Sequence, residues 1–300
     1  MLTIEIFDVG HGACSVVTLP NGRRIMVDCG CDTDRSWWPS VYFMGVPIDL
    51  LVLQNLDADH IQDIAGVLDR LKPRAIYSNP SVDAAALAEL KAEHGMNGPL
   101  TKVHQLLARF GPRMGPWRVP LPDDVEATLW YLTHDPHAAL ETNDLSVVLT
   151  VRYGTFRIVF GGDLERRGWL AHLSNFGFWS ALGPSNVFVA SHHGRRNGLC
   201  AEALTAASPE IVVISDKEMT HASQETVKEY RRYCRGIPDY TRTPDNIFMP
   251  WPRRHVLTTR KDGDVRIEVA PDGRYTVTKH DVVRETTMLT RDLLGSGYAA

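Results

Sequence analysis

Ile48-Asp49-Leu50-Leu51-Val52-Leu53-Gln54, followed at once by Asn55-Leu56-Asp57-Ala58-Asp59-His60, is the stretch on which the reading of this sequence turns. The first seven residues form an apolar run broken only by Asp49, which predicts a buried strand. Beyond them Ile61, Ile64, Val67, Leu68 and Leu71 recur at the spacing of a helix with one buried face. A strand therefore feeds a helix through Asn55 to His60, and four potential metal ligands (Asn55, Asp57, Asp59 and His60) fall in the connection. Alternate residues of an extended segment point the same way, so Asn55, Asp57 and Asp59 are expected to converge on one side while the turn brings His60 round. Clustered carboxylate and amide oxygens are costly unless they are hydrogen-bonded or bound to a cation. Asp57 or Asp59 could also N-cap the helix starting at Ile61, a role compatible with metal binding by its neighbours.

Working outward, the same theme recurs. Thr3 to Val9, Ala13 to Leu19 and Arg23 to Asp28 read as an antiparallel meander, with Pro20-Asn21-Gly22 as a hairpin turn. Residues 84 to 95 and 102 to 109 read as helices, and Glu126 to Leu132, Leu145 to Arg152 and Thr155 to Phe160 as strands. Gly161-Gly162-Asp163 then precedes a helix over Leu164 to Leu173, and the strand Val187 to Ala190 ends in Ser191-His192-His193-Gly194. Ile211 to Ser215, Val256 to Thr259, Val265 to Val269 and Tyr275 to Lys279 read as further strands, with a helix near Gln224 to Tyr233. Thr243 to Arg254 is the longest irregular stretch. Asp163 and His192-His193 thus lie just beyond strand ends, where sheet-based enzymes assemble sites from distant segments.

Composition bounds the alternatives. In 300 residues, 44% are hydrophobic and 23% charged, which excludes disordered and collagen-like classes and allows a full core. A formal net charge of −4 excludes coating of nucleic acid by bulk positive charge, but not a local basic groove. No apolar stretch approaches the roughly 20 residues of a membrane-spanning helix. Met1 to Gly10 lacks a signal-peptide pattern, so a cytoplasmic protein with no membrane partner is expected. Five cysteines at Cys14, Cys29, Cys31, Cys200 and Cys234 match neither a disulfide framework nor a CxxC zinc clip, and are expected to be reduced and packed.

Asp8-Val9-Gly10-His11-Gly12, Val27-Asp28-Cys29-Gly30, Asn55 to His60, Asn143-Asp144-Leu145-Ser146, Gly161-Gly162-Asp163 and Ser191-His192-His193-Gly194 occur in this order. In that order they resemble the metallo-β-lactamase superfamily, and most closely the metallo-hydrolase domain of competence DNA-uptake proteins. The resemblance covers roughly residues 3 to 280. It implies an α/β fold, a four-layer αβ/βα sandwich with a metal site at one edge between two sheets, here as a single domain over residues 1–285 with a tail at 286–300. It also implies that Asn55 and Asp57 share one metal position, that Asp59 and His60 form the other, that Asp163 bridges, and that His192 or His193 closes the site. Asn55 departs from the His usual there, which weakens the first position and leaves one or two divalent ions open. The carboxylate-rich set favours Mn²⁺, with Zn²⁺ and Mg²⁺ as alternatives.

For the substrate, Arg195-Arg196 directly after His193-Gly194 is the arginine pair best placed to bind phosphate. Arg166-Arg167, Arg242, Arg253-Arg254 and Arg260-Lys261 are further candidates, although the first pair also reads as a solvated helix face. His221 could contact phosphate or act as a general acid, beside Asp59 and Asp163 as catalytic residues, or could be a structural hydrogen-bonder. His11 and Ser146 are candidates for supporting roles. Trp37-Trp38-Pro39, Tyr42 and Phe43 could stack bases, but read better as packing. The expected activity is metal-dependent hydrolysis of a phosphodiester, with nucleic acid as substrate. The alternatives are an ester, thioester or lactone hydrolase, or a degenerate subunit that binds a protein partner or another copy of itself.

Overall fold

The computed structural model describes residues 1–34, 37–93, 95–96, 98–114, 120–137, 140–217, 225–239 and 251–280. His221, Arg242 and the expected tail at 286–300 fall outside these residues. In chain order the strands are Leu2–Ile6 (β1), Ser15–Thr18 (β2), Arg24–Val27 (β3), Leu50–Val52 (β4), Ala75–Tyr77 (β5), Arg113–Met114 (β6), Val125–Trp130 (β7) and Val148–Tyr153 (β8). They continue as Phe156–Phe160 (β9), Val187–Val189 (β10), Ile211–Ile214 (β11), Ile237–Pro238 (β12), Arg253–Arg254 (β13), Val256–Thr258 (β14), Asp264–Val269 (β15) and Tyr275–His280 (β16). One sheet has the order β16-β15-β1-β2-β3-β4-β5-β6, a second has β14-β11-β10-β9-β8-β7, and β12 pairs with β13. Arg253 and Arg254, expected to be irregular, therefore form a short strand.

Successive strand residues bury opposite faces, and this builds the layers. Val17, Ile25 and Val52 point into the core between the sheets, with Leu149, Ile158 and Val213 opposite. Their neighbours Val16, Met26 and Leu51 pack outward in a cluster with the helical residues Ile61, Ile64, Val103 and Leu107. On the other side Val148, Val159 and Val212 meet Leu164, Trp169 and Phe178. Each sheet packs against the other on one face and against helices on the other, giving helices, sheet, sheet and helices, as the resemblance implies. Trp37 and Phe43 are buried against Phe7, so the aromatic patch is packing. All five cysteines are free, and four of them are buried.

Helix boundaries depart more from expectation. The helix foreseen over Ile61 to Leu71 breaks into Ala58–Ile61, Ile64–Gly66 and a π-turn at Val67–Leu71. The next two run over Ala84–Leu90 and Gly98–Phe110. Helices at Phe176–Leu182 and Ala201–Ala207 have no counterpart in the sequence reading, since seven residues span barely two turns of apolar period. Among the described residues no helix is long and apolar enough to cross a membrane.

His172, on the helix Arg166–Leu173, stacks on Phe178 with ring centroids 4.6 Å apart and is buried. Burial lowers its pKa to about 4, so the folded state binds its proton less readily than the unfolded state. This contribution is therefore fully present above about pH 6.5 and is lost as pH falls toward 4, by an amount on the order of 3 kcal/mol. Chemical denaturation at pH 7 and pH 4.5 should show a smaller acid loss in His172→Phe than in the native chain.

Candidate metal centre

The carboxyl ends of β3, β4, β9, β10 and β11 carry the polar residues of the site. β3 runs parallel to β4, and β9, β10 and β11 run parallel to one another, so each sheet delivers its strand ends together. Gln54 ties the two sheets beneath the site, its side chain donating to the Val147 and Phe160 carbonyls at 2.6 and 3.0 Å. Gly162, with φ of +55°, makes the tight turn after β9, where a side chain would press on Gln54 and Ser146. His192 and His193 also hold left-handed conformations, with φ of 49° and 52°. Such backbone strain is held in place by its surroundings, here by the His192 amide on the Gly162 carbonyl at 2.9 Å.

Asp59, His60, Asp163 and His193 come together, with one ligand-type atom from each lying within 4.8 Å of all the others. His60 Nε2 lies 2.9 Å from Asp163 Oδ1, and His193 Nε2 lies 3.0 Å from Asp59 Oδ2 and 3.5 Å from Asp163 Oδ1. The far nitrogens fix which edge faces inward. His60 Nδ1 bonds Asp28 Oδ2 at 2.7 Å, and His193 Nδ1 bonds the Ser215 carbonyl at 3.0 Å, so both rings present Nε2 to the carboxylates. Asp28 is fully buried in a left-handed conformation and accepts the Gln54 amide at 2.7 Å on its other oxygen. It is the positioning residue that the sequence reading quoted within a motif without giving it a role. The signal was a carboxylate at the very end of a buried strand.

The electrostatics suit a cation. Burial opposes protonation of His60, yet Asp163 and Asp28 outweigh it and hold its pKa well above the usual imidazole range. His193 is raised as well, burial again being overcome by Asp163 and Asp59. Despite their own burial, Asp59 and Asp163 are lowered, by His193 and His60. A divalent cation would take the place of those imidazole protons. Two buried atoms, His60 Nε2 and Asp163 Oδ1, have no aligned hydrogen-bond partner among the described residues despite their closeness. Facing, unsatisfied ligand atoms of this kind fit a shared cation. Asp59, His60, Asp163 and His193 would hold it.

The other expected ligands are turned elsewhere. The extended segment ends at Asp57, and Asp59 already lies in the helical turn Ala58–Ile61, so strand alternation does not set the direction of Asp59. Asp57 occupies the N-cap position, but its side chain caps nothing and pairs with the Lys91 ammonium. Asn55 donates to Asn143 and Ser146 at 2.9 and 3.3 Å. His192 lies outside the four-residue group, with Nδ1 3.3 Å from Glu165 and Nε2 3.4 Å from Arg195. Arg195 also reaches His11 Nε2 at 3.3 Å, and His11 in turn lies 3.5 Å from Asp59. Burial and His193 lower the His11 pKa to about 4, leaving it neutral. Arg196 is exposed. Most other candidate arginines are committed to pairs: Arg166 with Glu202, Arg167 with Asp144, Arg254 with Asp262 and Arg260 with Asp216.

The family model of the metallo-β-lactamase superfamily matches residues 7–215, a span that contains the whole four-residue group. The chain belongs to the metallo-β-lactamase superfamily. No curated protein matches this superfamily member. Solved structures similar to it include the metallo-β-lactamase fold protein YhfI from Bacillus subtilis, at 12% identity over 92% of this chain and 100% of that one, with a TM-score of 0.47. Another is Igni18, a metallo hydrolase from Ignicoccus hospitalis KIN4/I, at 12% identity over 93% and 99%, with a TM-score of 0.42. A third is a diphosphatase of the PhnP family, at 11% identity over 92% and 97%, with a TM-score of 0.41.

Proposed function

We propose that this superfamily member is a metal-dependent phosphodiesterase acting on nucleic acid. The observation that carries the substrate choice is Arg195. Its two terminal nitrogens lie 3.3 and 3.4 Å from the His11 and His192 imidazoles, and no carboxylate pairs with it among the described residues. A guanidinium at the rim of a metal group, held by neutral rings, is arranged to receive an anion bidentately. Arg196, exposed beside it, extends the same basic edge. The resemblance of the ordered motifs to the competence branch, in which Asp57 is usual and Asn55 is the departure, supports the choice of a nucleic acid over a smaller diester.

A bound divalent cation supplies Lewis acidity and lowers the pKa of water. The chain supplies the rest. Asp28 and the Ser215 carbonyl hold His60 and His193 in their working tautomers, Arg195 orients the phosphate, and Asp59, exposed at 22% on the open side, orients the attacking water. His221 is the proposed general acid. Two imidazole nitrogens and two carboxylate oxygens suit Mn²⁺ and Zn²⁺ alike, so both belong in the assay.

The test is cleavage of single- and double-stranded DNA and RNA with each metal, beside a panel of esters, thioesters and lactones. Nucleic-acid cleavage that chelator abolishes and Arg195→Ala weakens at least tenfold is expected. Turnover of the ester panel alone would refute the substrate class, and bound metal without any turnover would favour a binding subunit.

A further inference from the structure

Asp57 does not stand free. The Lys91 ammonium pairs with its carboxylate and also donates to Thr142 Oγ1 at 3.3 Å. Lys91 follows the helix Ala84–Leu90 directly, and its side chain is only 12% exposed. Asn55 Oδ1 accepts the Asp57 amide at 2.9 Å, while Asn55 Nδ2 donates to Ser146 Oγ at 3.3 Å. That same hydroxyl accepts the Asp163 amide at 3.2 Å, so a single oxygen separates Asn55 from Asp163. His192 Nδ1, 3.3 Å from Glu165, is a buried nitrogen with no aligned partner among the described residues.

By the resemblance, Asn55 and Asp57 share the metal position that Asp59 and His60 do not form, and in the structure both are engaged by protein partners, Asp57 by Lys91 and Asn55 by Asn143 and Ser146. Of the two, only Asp57 carries charge to offer a second cation. A lysine ammonium is a compact point charge that neutralises a carboxylate as one charge of a metal ion would. Asn55 is neutral and cannot make up for the charge so cancelled.

We infer that Lys91 is a built-in counter-cation that closes a second metal position, so that the centre holds one divalent ion, and that removing its charge opens Asp57 to a second. This inference rests on the metal-dependent reading proposed above. It gives a polar network of neutral appearance a definite task, setting the number of ions.

The test is titration of Mn²⁺ into the full chain by calorimetry, with bound metal counted after gel filtration. The native chain should take one equivalent, Lys91→Met two, and Lys91→Met combined with Asp57→Asn one again. Asp57→Asn alone, with Lys91 in place, should keep one equivalent at an affinity within about threefold of native, and this variant tests the inference even where Lys91→Met fails to fold. Two equivalents in the native chain, one in a folded Lys91→Met variant, or a tenfold loss of affinity in Asp57→Asn would each overturn it. Absence of any bound metal in the native chain would instead sink the metal-dependent reading, and the inference with it.

Discussion

Asp163→Ala should lower metal affinity by at least about a hundredfold and reduce cleavage to background, while leaving the fold intact. Outer-shell changes at metal sites already cost about 10- to 100-fold, and Asp163 faces the group directly. Its Oδ1 lies 2.9 Å from His60 Nε2 and 3.5 Å from His193 Nε2, and so joins the two imidazoles that the two sheets contribute. Without it those rings face each other across a gap with Asp59 as the remaining inward carboxylate. The backbone of residue 163 keeps its bond to Ser146 Oγ, and Leu164 stays in the core, so folding should survive. Calorimetric titration, cleavage and circular dichroism on one preparation test this together. Native occupancy and rate in a folded variant would remove Asp163 from the site.

The second large effect falls on stability. Gly30 should not tolerate even a methyl group: a Cβ there would lie 2.3 Å from the Asp59 carbonyl oxygen, and 2.8 and 2.9 Å from the oxygen and nitrogen of Ala13. All three are backbone atoms, which cannot swing aside as a side-chain end would. They also belong to a stitched layer, in which Gly30 donates to Ala13, Ala13 to Asp59 and Cys29 to His60. Inserting the methyl must separate the loop at residues 11–14 from the turn that carries Asp59 and His60. Gly30→Ala is therefore expected to cost roughly 3 kcal/mol or more, the range of severe overpacking. Gly98→Ala, whose Cβ would meet nothing within 4 Å, should stay within about 0.5 kcal/mol. Urea denaturation of both variants decides the matter, and equal midpoints would contradict the close approach at Gly30.

The layers were legible through the family resemblance, and the central strands agree with it: Val16-Val17 and Leu51-Val52 are apolar on both faces, and such runs must be covered on both sides. The sequence also singled out Asp59, His60, Asp163 and the His192-His193 pair in the connections that follow strands, and the structure brings Asp59, His60, Asp163 and His193 near one another. Orientation was harder. Whether Asn55 faces a cation or Asn143 is set by a partner 88 positions away, and the Asp57 carboxylate is claimed by Lys91 from 34 positions away. Alternation along an extended chain misleads between Asn55 and Asp59 because the helix begins at Ala58, one residue after Asp57. His192 and His193 are adjacent and chemically identical. Only the left-handed backbone that turns one ring toward Asp59 and the other toward Glu165 separates their roles.

The most direct test of a single-ion centre is the anomalous signal of crystals grown with Mn²⁺. The structure predicts one strong peak, bounded by Asp59 Oδ2, His60 Nε2, Asp163 Oδ1 and His193 Nε2, and none beside Asp57. A first peak at Asn55, Asp57 and His192, or no peak at the four-residue group at saturating Mn²⁺, would contradict it.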